Sequence, residues 1–143
     1  MIKYLLISCL LFISLGSFGQ ERLFGGCDTL KGEGGQVFIK AEIMPKFKDS
    51  ITLQEFFIKL FLSKSREVDG MGYMTVVMVV GTSGISCCHQ ITNKSNIPID
   101  FDKLKAVLDR KLHWEPAMQN NRPVPCTEAI YISFNGDVIK VRP

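Results

Sequence analysis

Leu53, Phe56, Phe57, Leu60 and Phe61 recur at helical spacing, which predicts a helix from Leu53 to about Ser63 with one apolar face. Ser50 and Thr52 both offer caps, and Thr52 with Glu55 has the capping-box pattern. A second helix follows Asp100 or Asp102 as cap, with Leu104, Val107, Leu108 and Leu112 on its apolar face. Lys111 and His113 suit the negative end of that helix. Between the helices the pattern changes. Gly72 to Val80 is rich in β-branched residues, Gly81-Thr82-Ser83-Gly84 is turn chemistry, and Ile85 to Thr92 resumes as a second strand. Asn93 to Ile99 reads as a polar loop.

After the second helix comes Trp114, the single tryptophan, two residues before Pro116. The indole brings a large apolar surface to the helix end, and Pro116, lacking an amide donor, stops the helix. Asn120-Asn121 tolerates the left-handed conformation of a turn, and Pro123 stiffens the return into a strand from Cys126 to Phe134. Asn135-Gly136 then predicts a type I′ hairpin turn into a last strand, Asp137 to Val141. That turn sets Phe134 opposite Asp137, Ile132 opposite Ile139, Ile130 opposite Val141, and Tyr131 opposite Lys140 on the other face. Earlier in the chain, Val37-Phe38-Ile39 predicts a short strand and Met44-Pro45-Lys46-Phe47 an extended segment. The expected fold is α+β: a small antiparallel sheet of three to four strands with two helices packed on one face.

The chain has 143 residues, 46% apolar and 22% charged, which suits one small domain. Residues 1–19 read as a signal peptide: Lys3, an apolar run from Leu5 to Leu15, then Ser17-Phe18-Gly19. The alternative is an inner-membrane anchor through residues 1–18. Residues 20–36 read as a flexible Gly-rich leader, and 37–143 as the domain. Loss of Lys3 with the signal lowers the formal charge from +3 to about +2, with no basic stripe, so no nucleic-acid partner is expected. Cys27, Cys87, Cys88 and Cys126 remain, and four cysteines pair in three ways that sequence leaves open.

Cys87-Cys88-His89 invites a metal reading, but adjacent strand residues point to opposite faces, so no metal site is expected there. His113-Trp114-Glu115 has acid–base residue types, yet the tryptophan separates them. Asp100 and Asp102 read as helix caps, and Lys103, Lys105, Arg110 and Lys111 as a solvated face. No Gly-rich phosphate loop or nucleophile motif is present. The expectation is a protein without catalytic activity or cofactor.

Three ordered pieces resemble the TonB C-terminal domain family in its Bacteroidetes form. Glu42-Ile43-Met44-Pro45-Lys46-Phe47 is similar to its acidic-x-Met-Pro-x-Phe stretch, and Gly72 to Val80 with Gly84 to its hairpin strand and turn glycine. Trp114 to Val124 is similar to its Trp-x-Pro-small-x-x-Asn-Gly-Lys/Arg-Pro-Val signature, carried here by Trp114, Pro116, Asn121 and Pro123. The resemblance implies a periplasmic or envelope protein-binding module. Its partner would be an extended peptide segment of an outer-membrane transporter, added to the edge of a docking strand from Thr127 to Phe134. Thr127, Ala129, Tyr131 and Ser133 are then the partner-binding residues. Asn121 replaces the signature glycine, and Lys59 to Glu67 lacks the family's Tyr-Pro pair. A seventeen-residue leader reaches at most about 55–60 Å, which argues against a complete energy transducer. The competing expectation is a secreted structural or self-associating domain without peptide binding, dimerising through its sheet edge. In either case, residues 137–141 folded onto the docking strand would occupy the edge that a partner peptide needs.

Overall fold

The computed structural model describes residues 19–24, 27, 36–62 and 69–143. Residues 1–18, which carry the expected anchor and all of the expected 1–19 signal but Gly19, lie outside the described residues. Among the described residues no helix is long and apolar enough to cross a membrane.

The fold is α+β, with a five-stranded antiparallel sheet and two helices among the described residues. The elements are β1 (Gln20–Leu23), β2 (Lys46–Phe47), α1 (Leu53–Leu62), β3 (Gly70–Val80), β4 (Ser86–Ser95) and α2 (Phe101–Lys111), followed by β5 (Trp114–Glu115), β6 (Ala117–Gln119), β7 (Arg122–Val124), β8 (Cys126–Gly136) and β9 (Val138–Arg142). Sheet order is β1-β4-β3-β8-β9. The sheet is one strand larger than expected, because the flank beyond β4 gains a strand. β9 is the tail strand, and β1 comes from the segment read as a leader.

Both helices start as their sequences predict. Thr52 Oγ1 accepts the Glu55 N–H (3.1 Å) while the Glu55 carboxylate accepts the Thr52 N–H (2.8 Å), a complete capping box. The Asp100 side chain accepts the Lys103 N–H, so Asp100 rather than Asp102 is the cap of α2. Those two amide bonds hold both carboxyls below the ordinary carboxylate range. Phe57 and Phe61 from α1, and Leu104 and Leu108 from α2, join one buried cluster with Met74, Val76, Ile91, Ile130 and Ile132 from the sheet. One sheet face is therefore covered by helices, and alternation sends the other side chains to the opposite face.

Three local expectations change. α2 ends at Lys111 with Leu112 as cap, so Pro116 does not stop it. Trp114 is instead a strand residue, because Gly84 O takes its N–H (3.1 Å) and β2 pairs alongside. Val37-Phe38-Ile39 makes only an isolated parallel bridge, Phe38 to Cys126. The polar loop begins later than expected, since β4 runs to Ser95 opposite Gly72.

The β8–β9 hairpin forms in a register two residues away from the expected one. Asn135 faces Val138, Phe134 faces Ile139, and Ile132 faces Val141. The loop is Gly136-Asp137, with positive φ (61°) at Gly136 and not at Asn135. A shift of two preserves facing, so Ile139 still points inward and is buried. It also sets Ile139, rather than Asp137, against the buried Phe134, which is the physical gain.

Candidate functional site

The signature segment forms one connected structure with the two motif pieces that precede it. Trp114 is buried, its indole N–H donating to Ser86 Oγ (3.0 Å) and its ring meeting Phe47 edge-on at 5.7 Å. Phe47 pairs with Trp114 and Lys46 with Glu115 across β2 and β5. Ile43 exchanges two backbone bonds with Met118 (3.1 and 2.9 Å), and the Glu42 carboxylate accepts the Asn120 N–H (3.1 Å) and the Gln119 amide (3.1 Å). Glu42 to Phe47 thus runs antiparallel along Trp114 to Asn120. Gly84 lies under the Trp114 carbonyl so closely that a Cβ there would overlap it.

Beyond Pro116 the chain turns as a small hairpin, β6 to β7. Asn120 (φ 51°) and Asn121 (φ 58°) both take the left-handed conformation, the requirement of a type I′ turn. The I′ geometry expected at Asn135-Gly136 is therefore found here. Pro123 sits in β7 opposite Met118, and Ala117 is buried with Ala41 and Cys126. These residues act by packing and by delivering the chain into β8.

β8 places Thr127, Ala129, Tyr131 and Ser133 together on the face opposite α1 and α2, which is helix-free among the described residues, as its burial alternation shows. Its edge is not free. β3 pairs with the whole strand on one side, and β9 pairs with Tyr131 to Asn135 on the other. At the upper end the Thr127 N–H donates to Phe38 O (2.9 Å). Among the described residues, only Glu128 to Ile130 has no strand on that side.

β9 is itself held from outside. The Gln54 side chain, on the first turn of α1, accepts the Val141 N–H (2.7 Å) and donates to Ile139 O. A side-chain amide offers one donor and one acceptor, as a neighbouring strand would. It occupies two of the edge groups that β9 presents away from β8. No pattern in the sequence marks Gln54, because its partner lies 87 residues away.

The remaining candidates are dispersed. Cys27 and Cys87 are disulfide-bonded, with Cα atoms 5.8 Å apart. Cys88 points to the opposite face and is fully buried, its N–H donating to Asp109 (2.5 Å). Burial, then the Asp109 charge, pushes its thiol up to about 12. Cys126 is a buried free thiol, also raised by burial first and by Glu128 second. His113 pairs with Ile85 at a backbone bridge, and His89 lies in the β4 bulge where the β3 register shifts. Among the described residues no three His, Cys, Asp or Glu side chains gather to hold a metal.

Glu128 points inward from β8 and is buried; desolvation alone holds its carboxyl above the usual range. The helix-free face carries Tyr73 and Tyr131, each about half exposed (48% and 51%), with Lys94, Lys140 and Arg142 around them. What the arrangement offers is an occupied strand edge and an aromatic, basic face. No family model matches the chain, and neither a curated protein nor a solved structure matches it.

Proposed function

We propose that this chain is an exported, non-enzymatic protein-binding module similar to the TonB C-terminal domain. It works in the periplasm or at the envelope, and its partner is an extended peptide segment of an outer-membrane transporter. Support comes from one observation above the others: the backbone edge of β8 at Tyr131 to Asn135 already holds an extended strand, contributed by the chain's own tail. An edge that accepts β9 has the geometry to accept a partner strand in its place. Convergence of Glu42–Phe47, Gly84 and Trp114–Asn120 in one structure supports the likeness further, since the three pieces carried the resemblance separately.

In this reading β9 is a resident strand that a partner must displace, and Gln54 sets how firmly it is held. The direct test is calorimetric titration of the protein, purified after export through its own N-terminal segment. The titrants are peptides from the N-termini of transporters of the same organism. Binding should be accompanied by faster amide exchange at Val138 to Arg142, and Gln54→Ala should tighten it. No binding, together with dimer formation through a sheet edge, would favour a self-associating structural domain.

A further inference from the structure

The helix-free face of the sheet has an ordered arrangement of side chains that neither the core nor the edge explains. Strand registers define two adjacent rows across it. One runs Lys94, Tyr73, Ser133, Lys140, and the next runs Thr92, Thr75, Tyr131, Arg142. Strands are spaced about 4.8 Å apart, so each row spans roughly 14–15 Å, and the rows lie about 7 Å apart. Tyr73 and Tyr131 are diagonal neighbours at the centre, and Tyr131, Ser133 and Arg142 line a shallow concavity with Tyr73. Lys94 sits over the Tyr73 ring, 5.7 Å from its centroid. Lys140 and Arg142 make no ion pair among the described residues. Glu21 ends the second row on β1, opposite Thr92, with its carboxylate accepting the Gln90 amide (2.5 Å), and Asp137 lies in the β8–β9 loop at the other side.

We infer that this face docks an acidic, extended protein segment, with Tyr73 and Tyr131 as the aromatic platform and Lys94, Lys140 and Arg142 as the charged frame. Charge decides the occupant. A second copy laid face to face would bring like cations together, which opposes self-association through this surface. Three cations fall short of the four to eight or so that mark a lipid-surface cluster, and the chain has no basic stripe for a nucleic acid. Two half-exposed tyrosines in a cationic frame instead suit a peptide that alternates carboxylates with apolar side chains. Such a peptide lies along a strand with one side chain set down every second residue. This surface takes Lys140 and Arg142 from β9, so it is complete only while β9 holds the edge, the opposite of what strand addition at that edge requires.

The probe is a fluorescein-labelled decapeptide alternating Glu with Leu or Phe, beside the same peptide with Lys for Glu, read by anisotropy on the full exported protein. The acidic peptide should bind and the basic one should not. Binding should weaken several-fold when salt rises from about 50 to 300 mM, since the contacts are solvent-exposed charges. Lys140→Glu with Arg142→Glu should weaken it by ~10-fold or more, and Tyr73→Ser should weaken it without changing the salt dependence. Lys111→Glu, at the far end of α2, should leave it unchanged. Gln54→Ala loosens the strand that carries Lys140 and Arg142, so unchanged or weaker affinity in that variant, where strand addition would be tightened, separates this surface from strand addition. Thermal unfolding of each variant confirms folding. Equal affinity for the basic peptide, or insensitivity to the charge reversals in folded variants, overturns the inference. So does capture by phosphatidylglycerol vesicles or duplex DNA with none by the acidic peptide.

Discussion

Gln54 and Val141 are 87 residues apart in sequence, yet the Gln54 carbonyl accepts the Val141 amide at 2.7 Å. Together with the bond to Ile139 O, this makes one side chain a substitute for a missing strand. Gln54→Ala leaves both backbone groups to water and should cost about 1–2 kcal/mol. Hydrogen exchange is the sharper readout. The Val141 amide should lose protection while the amides of β3 and β4 keep theirs.

The disulfide ties Cys27, just past β1, to the outer side of β4 across 60 residues. Closing a loop of that length stabilises by about 4 kcal/mol on the chain-entropy account. Reduction, or Cys87→Ser, should therefore lower stability markedly and free β1 from the sheet. Cys88→Ser tests the neighbouring position. Its thiol is fully buried and held near 12, so it carries almost no thiolate at pH 8. Thiol titration of the oxidised native protein should leave Cys88 and Cys126 unreacted until denaturant is added.

Gly84 and Gly136 separate two reasons for glycine. Both have positive φ, 83° and 61°. A Cβ on Gly84 would also strike the Trp114 carbonyl, whereas one on Gly136 meets nothing within 4 Å. Gly136→Ala should cost about 1 kcal/mol from backbone strain alone. Gly84→Ala should cost about 2–3 kcal/mol or more, with a red shift in tryptophan fluorescence as the indole loses its place beside Ser86. Equal costs would show that the Trp114 contact is not what demands glycine at Gly84.

Glu128 supplies the pH dependence. Its folded pKa is raised above the 4.5 of the free group, because burial disfavours the charged form. The folded state therefore holds the proton more tightly than the unfolded state. Stability from this group is fully present below about pH 4.5 and is lost as pH rises through the folded value. Glu128→Gln should be more stable than the parent at pH 7, with the difference closing as pH falls toward 4. Urea unfolding across a pH series reads it directly, and a gap that widens toward acid would contradict the assignment.

How much was legible beforehand differs by element. The helices were read nearly to their ends, since capping and the apolar period are settled within four or five residues. Thr52 and Glu55 cap α1 as their spacing predicts. The last hairpin was half read: Ile139 faces inward as expected, but the turn moved to Gly136-Asp137. Burial opposite Phe134 outweighed the local preference of Asn-Gly. β1 left almost no trace, because its four residues are all exposed and have no alternation to detect.

The sequence alone determined the α+β class, the two helices with the capping box of the first, the β3–β4 hairpin and the inward faces of the last hairpin. Each of those follows from side-chain periodicity and from chemistry between near neighbours. Only the tertiary structure decided which cysteine Cys27 would meet, that Trp114 would leave the helix for β2 and Gly84, and in which register the tail would pair with β8, with Gln54 behind it. Those are choices among distant partners. They are made by burial and by the need to pair every backbone group in the fold, which no local stretch of chain expresses.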